Sequence, residues 1–262
     1  MFFAIKNRMV LWLFIFVAIT GVTFFGFCHY RHDNEIHTES IITSDTKQNT
    51  DSEDPVSKTP FKPNDSIANS TPDFPISFNI DVPFTSQAPL YNWDMLHEDA
   101  CEEASLIMLY YWHNGKIFEN SNQAEQEIQK MIEFENDNNY GPSITLQDLG
   151  RIGESYLSLN NIQIAQINNI DDIKKTISQN KPIIIGAAGK ILPNPNFRNG
   201  RPNYHMLVIK GYDENGFITN DPGTRRGESF YYQNDDLFNA IHNWDPENIL
   251  NGSKTILYLN SP

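Results

Sequence analysis

The sequence predicts an α+β fold on three observations. Apolar residues recur at helical spacing between Cys101 and Gln179. Short apolar or alternating runs fill the stretch from Pro182 to Leu259. The segment Asp213-Glu214-Asn215-Gly216 joins two of those runs as a turn, so the strands are expected to be mostly antiparallel. Helices first and strands after is not a βαβ repeat, and no internal repeat is visible.

The elements follow in order. Phe78-Asn79-Ile80-Asp81-Val82 alternates and reads as a strand. Residues 84–97 are irregular, with Gln87, Pro89 and Trp93 among them. A helix is expected to start at Cys101, with Asp99 as its N-cap and Asn114-Gly115 as its stop. Ala104, Leu106, Ile107, Met108, Tyr110 and Tyr111 supply enough apolar surface to bury it. A second helix runs from Ser121, its cap, to Phe134, with Ala124, Ile128, Met131 and Ile132 as the inward stripe. Thr145 to Leu157 and Ile170 to Gln179 are the third and fourth. Pro182-Ile183-Ile184-Ile185-Gly186 reads as a central strand, and residues 189–203 as a Gly/Pro/Asn-rich loop. Strands are then expected over 204–212, 217–220 and 228–232, a short helix over 235–242 and a last strand over 255–259.

The folded domain is expected over residues 76–262, and the chain before it reads differently. Met9 to Phe27 is uncharged and almost wholly apolar, close to the roughly 20 residues that span a bilayer. That run is long for a cleaved signal peptide and lacks a small-x-small site before Cys28, so a signal anchor over 9–28 is expected. Lys6 and Arg8 before it and Arg31 after it place residues 1–8 in the cytoplasm and the domain outside the cell membrane. Residues 29–75 read as a disordered linker: Ser44 to Pro55 has no apolar residue to bury, and Pro60, Pro63, Pro72 and Pro75 break regular structure. Such a coil holds a domain on the order of 35–40 Å from the membrane.

Charge and cysteine count exclude whole classes. Residues 33–262 carry 33 acids and 16 bases, a net of −17, which repels phosphate backbones and makes nucleic acid an unsuitable partner. Cys28 belongs to the hydrophobic stretch, so Cys101 is the one thiol of the domain and no disulfide framework exists there. No Cys/His pair has zinc spacing, no cofactor motif is present, and no GxxxxGK[ST] phosphate loop occurs, which rules out an ATP-driven exporter in the same polypeptide. No cofactor or metal is expected.

The chemistry-bearing residues gather into one pattern. A thiol on the first turn of a helix lies in the positive end of its dipole, which favours thiolate. A thiol nucleophile needs a base, and the base a group to hold its ring. Cys101 at a helix start, His205 at a strand start and Asp221 at the end of the next strand are those types on rigid elements. Gln87 and the Cys101 backbone N–H are candidate oxyanion donors.

Val82-Pro83-Phe84-Thr85-Ser86-Gln87, Cys101-Glu102-Glu103-Ala104-Ser105, the run His205 to Asp213 and Asn220-Asp221-Pro222 resemble the stand-alone relatives of bacteriocin-processing peptidases, cysteine-peptidase family 39. The resemblance covers roughly residues 80–259. It implies a papain-like fold, a peptide or protein substrate, a Cys101–His205–Asp221 triad and Gln87 as oxyanion donor. The expected function is a membrane-anchored cysteine peptidase. An amidase or transpeptidase on the same scaffold, acting on cell-wall peptides, and a silent peptide-binding module are the rivals.

Two features run against the pattern. Glu98, Asp99, Glu102 and Glu103 surround the thiol and oppose its ionisation, unless one of the pair after Cys101 selects a basic substrate group. Register is the second: with a turn at Asp213–Gly216 Asp221 falls three residues from His205, so twist or a β-bulge must close the gap, or else Asn220 or a carbonyl orients the ring. The 189–203 loop runs into His205 and is a candidate substrate wall, with Arg198 and Arg201 placed to meet a carboxylate.

Overall fold

The computed structural model describes residues 73–260. The proposed anchor over 9–28 and nearly all of the linker lie outside the described residues. Among the described residues no helix is long and apolar enough to cross a membrane.

Seven strands form one sheet: β1 (Phe78–Asn79), β2 (Ile162–Gln166), β3 (Ile183–Ala188), β4 (Tyr204–Tyr212), β5 (Gly216–Asn220), β6 (Phe230–Gln233) and β7 (Thr255–Leu259). Their order is β2-β7-β3-β4-β5-β6, with β1 paired to the far end of β4, and every pairing is antiparallel. Six helices accompany the sheet: α1 (Met95–Glu98), α2 (Cys101–His113), α3 (Ser121–Asp137), α4 (Leu146–Leu157), α5 (Ile170–Ser178) and α6 (Asn234–Ala240). This is the α+β, antiparallel layout expected from the sequence.

The apolar run at Ile183 becomes the centre because it has no polar face to turn outward. All of β3 and all of β4 are buried. α2 packs directly on β4, α4 on β2 and β7, and α5 on β3 and β4. α2 is buried at ten of its thirteen positions, so its apolar residues wrap the helix instead of forming a stripe. By contrast α3 and α5 present one face each, Ala124, Ile128 and Met131 in one and Ile173 and Ile177 in the other.

Several local expectations are corrected. Asp99 closes α1; the residue that precedes α2 is Ala100, which has no capping side chain. Asn120, not Ser121, caps α3, its side chain accepting from the Gln123 N–H. The first strand keeps only two of its five residues, because a β-bulge at its partner ends the pairing. Strand β2 and helix α1 were not expected. β2 is an edge strand with a mixed, half-exposed pattern that carries little periodic signal. Phe74 packs edge-on against Tyr212, whose hydroxyl donates to the Pro75 carbonyl at 2.9 Å.

Burial sets the expected cost of core truncation. Ile184→Ala, at a fully buried position of β3, is expected to cost about 2–5 kcal/mol in urea unfolding. Ile117→Ala, at a side chain 78% exposed, should stay within about 0.5 kcal/mol. Equal costs at the two positions would contradict this assignment of the core.

Candidate active site

The register between β4 and β5 decides where Asp221 goes. Tyr212 pairs with Phe217 across a turn at Glu214-Asn215, and Val208 pairs with Asn220. Between Ile209 and Gly211 the register shifts by one residue, a β-bulge at Lys210. Its carbonyl is not wasted: it accepts from the Ile80 N–H at 2.8 Å. Without the bulge Asp221 would stand opposite Val208, on the face away from His205. With it, Asp221 continues the pairing opposite Leu207, on the His205 face and one diagonal step away.

His205 Nε2 meets Asp221 Oδ1 at 2.7 Å, and both side chains are sealed from solvent. A carboxylate only accepts, so Nε2 carries a proton, and Nδ1 is the ring nitrogen not committed to Asp221. Three further donors reach Asp221: the Tyr232 hydroxyl at 2.6 Å and Asn194 Nδ2 at 2.9 Å on Oδ2, and the Gly223 N–H at 3.0 Å on Oδ1. Burial alone would raise the Asp221 pKa; the charge of His205 and the hydrogen bonds from His205, Tyr232 and Asn194 outweigh it and hold the carboxyl below its ordinary 3.8. Burial and the Asp221 charge push the Tyr232 phenol far up, so it stays a donor.

Two glycines make room for this pair. A Cβ on Gly223 would meet His205 Cε1 at 2.8 Å, and one on Gly227 would run into the Asp221 backbone. Gly227 O also accepts the Asp221 N–H at 2.9 Å. Phe197 also borders Gly223 and packs edge-on against the His205 ring at 5.2 Å between centroids.

Cys101 lies one peptide away. The Met206 N–H donates to Cys101 Sγ at 3.3 Å, which sets the sulfur beside the His205-Met206 peptide. The thiol itself is turned to Glu102 Oε2 at 2.8 Å, and among the described residues it makes no hydrogen bond to His205. Burial, then the Glu102 carboxylate, push the thiol well above its ordinary value. The helix dipole that was expected to favour thiolate is met instead by two first-turn carboxylates.

Those two glutamates are buried, at 2% and 5% exposure. Glu102 contacts the sulfur, and Glu103 lies against Glu135 of α3. Neither lines the cavity that holds His205, so selection of a basic substrate group by this pair has no geometric support. Burial and mutual repulsion push all three carboxyls up, Glu103 to about 7.

Gln87 is a buried strut. Its Nε2 gives both N–H groups to backbone carbonyls, His97 O at 2.8 Å and Glu98 O at 3.0 Å, so neither is free for an oxyanion. Its own N–H donates to Pro222 O at 3.0 Å, tying the approach to α2 to the segment after Asp221. Asn220 is no substitute for Asp221. It faces the other way, donating to Val82 O at 2.9 Å.

A cavity of ≈ 290 Å³ opens over the site, lined by Gln87, Trp93, Glu98, Asp99, His205, Gly223 and residues 197–199 and 201–204, among others. The 189–203 loop is thus its wall, as the sequence suggested. Cys101 does not reach the lining. Among the described residues no cluster of His, Cys, Asp and Glu is arranged to hold a metal.

The sequence model of the Peptidase_C39 like family matches residues 79–247, well over half of the chain, and spans every residue named above. The chain belongs to that family. Among solved structures, a crystal structure from Bacillus anthracis named as a candidate C39-like peptidase aligns with a TM-score of 0.46 and 20% identity, over 69% of this chain and 95% of that one. No curated protein matches. Membership of the C39-like family points to peptidase-type chemistry for the chain.

Asn194 and Tyr232 escaped the sequence reading. Asn194 sits in a loop of Asn and Pro residues that all look alike, and Tyr232 ends an aromatic run that reads as core. The only signal available for Tyr232 was its alternation with Phe230 along β6.

Two outcomes test the electrostatics. Tyr232→Phe removes one donor from a buried carboxylate and is expected to cost about 1–3 kcal/mol of stability near pH 7. Glu103 and Glu135 hold protons in the folded state that the unfolded chain releases above the ordinary 4.5. Their stabilisation is therefore complete below about pH 4.5 and is lost as pH rises through the folded values, about 7 for Glu103 and about 10 for Glu135. Urea unfolding at pH 5 and pH 8 should give a smaller drop for Glu135→Gln than for the parent; an equal drop would contradict the shared-proton arrangement.

Proposed function

We propose that the protein is a cysteine peptidase that hydrolyses peptide bonds through Cys101, His205 and Asp221. The observation that carries this reading is the buried His205–Asp221 pair, one peptide from the backbone N–H that holds the Cys101 sulfur. A histidine whose Nε2 proton is fixed by a carboxylate has its Nδ1 left to take a thiol proton.

In the proposed cycle the thiol leaves Glu102 by rotation about its Cα–Cβ bond and gives its proton to His205 Nδ1. Sγ bonds to the carbonyl carbon, and the carbonyl electron pair moves to oxygen. That oxyanion meets the Cys101 backbone N–H, a first-turn amide with no intrahelical acceptor. The tetrahedral centre collapses, and the C–N pair leaves with the proton from His205. Water then attacks the thioester, His205 takes its proton, and Sγ departs as thiolate to be reprotonated. Asp221 holds the ring and balances the imidazolium throughout.

The uncharged run Met9 to Phe27 supports a membrane-tethered form with this domain on the outer side. An amidase or transpeptidase would share every step up to the thioester and differ only in the amine that replaces water.

Cys101→Ala and His205→Ala are each expected to abolish peptide hydrolysis in a library assay read by mass spectrometry; His205→Ala, which strips a partner from buried Asp221, should also lower the melting temperature. Conjugates formed on adding a free amine would favour the transferase reading, and turnover by Cys101→Ala would exclude Cys101 as nucleophile. Glu102→Gln removes the charge that opposes the thiolate. The pH midpoint of Cys101 alkylation should then fall. An unchanged midpoint would show that Glu102 does not control the sulfur.

A further inference from the structure

The arginines of this domain are not spread over its surface. Of the five among the described residues, four (Arg198, Arg201, Arg225 and Arg226) line the His205 cavity or the groove next to it. The fifth, Arg151, is paired with Asp148. None of the four has a carboxylate within ion-pair distance among the described residues. That is an unusual arrangement in a chain with 33 acids and 19 bases.

The groove, ≈ 450 Å³, is lined by Tyr91, Trp93, Asn196, Thr224 and the guanidinium-bearing Arg198, Arg225 and Arg226, with no acid among them. It shares Trp93 and Arg198 with the His205 cavity, so one extended chain can occupy both. Two of the guanidiniums are already held in place. Arg225 lies over the Tyr91 ring at 4.6 Å and Arg198 over Trp93 at 5.6 Å. A stacked guanidinium keeps its in-plane N–H donors for a carboxylate while losing little rotamer freedom on binding. Tyr91 itself has φ 67°, a left-handed backbone that bulky residues rarely take, and this turns its ring out to 61% exposure beneath Arg225. In the inner cavity the charge is mixed: Glu98 and Asp99 line it beside His205, together with Arg198 and Arg201.

We infer that the Arg198–Arg225–Arg226 groove is a substrate subsite that selects an acidic peptide segment, with aspartate or glutamate side chains a few residues from the bond presented to His205. This rests on the peptidase reading and names its substrate class. Binding by the groove needs no turnover, so the two are separable by experiment.

The test uses the full chain carrying Cys101→Ala and three fluorescein-labelled ten-residue peptides. They are otherwise uncharged and differ only in a central Glu-Glu, Gln-Gln or Lys-Lys. Anisotropy should show the Glu-Glu peptide binding on the order of five- to tenfold tighter than Gln-Gln, with the gap closing as salt rises. Arg225→Gln with Arg226→Gln should erase the preference, and Arg225→Glu with Arg226→Glu should turn it toward Lys-Lys. Equal binding of the three peptides, absence of binding by all of them, or a preference that survives both double variants would overturn the subsite. In parallel, the wild type is given a mixed peptide library and the residues flanking each cut are counted. Enrichment of Asp and Glu supports the subsite, and cuts without it overturn it. A library left wholly uncut would instead count against the hydrolase reading, and the anisotropy result would still decide the groove.

Discussion

A carboxylate without access to water persists in a protein only when its charge and both oxygens are answered from within. Asp221 meets that condition with four donors drawn from four places: His205 on β4, Tyr232 on β6, Asn194 in the 189–203 loop and the Gly223 amide just beyond Asp221 itself. Each donor constrains the element that bears it. The loop that walls the cavity is pinned at Asn194, strand β6 at Tyr232, and the ring of His205 at its Nε2. The bulge at Lys210 is the geometric counterpart of the same constraint, since one residue of register separates a buried acid facing imidazole from one facing the opposite side of the sheet.

The nucleophile side obeys a different logic. A helix start surrounded by Glu102 and Glu103 is a poor place to keep a thiolate, and the sulfur rests as a thiol on a carboxylate oxygen. Its second partner, the Met206 N–H, belongs to the strand that carries His205. The sulfur thus sits between the Glu102 carboxyl, to which its thiol is turned, and the backbone amide that follows His205.

Much of this was legible in the chain, for identifiable reasons. Cys101, His205 and Asp221 stand at the ends of elements with strong periodic patterns, so each could be placed on its own helix or strand. That twist or a bulge had to close the gap between Asp221 and His205, if the acid was to hold the ring, was legible too. The bulge's location at Lys210 was not, since a lysine in an apolar strand gives no local signal for an extra residue. Gln87 was read as a free donor because its type and place fitted. Only coordinates reveal that two carbonyls before α2 consume its N–H groups. Caps failed similarly: Asp99 and Ser121 are good capping residues one position from where the chain turns, and Ala100 and Asn120 occupy those positions. Asn194 and Tyr232 contribute through distant pairing, which neither periodicity nor composition encodes.

The direct test of the account is a crystal structure of the domain after reaction with a peptidyl electrophile that alkylates thiols irreversibly. The account expects the adduct on Cys101 Sγ, the peptide lying in the cavity lined by His205, His205 Nε2 still on Asp221, and His205 Nδ1 turned to the sulfur or to the attacked group. An adduct that leaves Cys101 unmodified, or a modified sulfur with the imidazole swung away from both it and Asp221, would contradict the account.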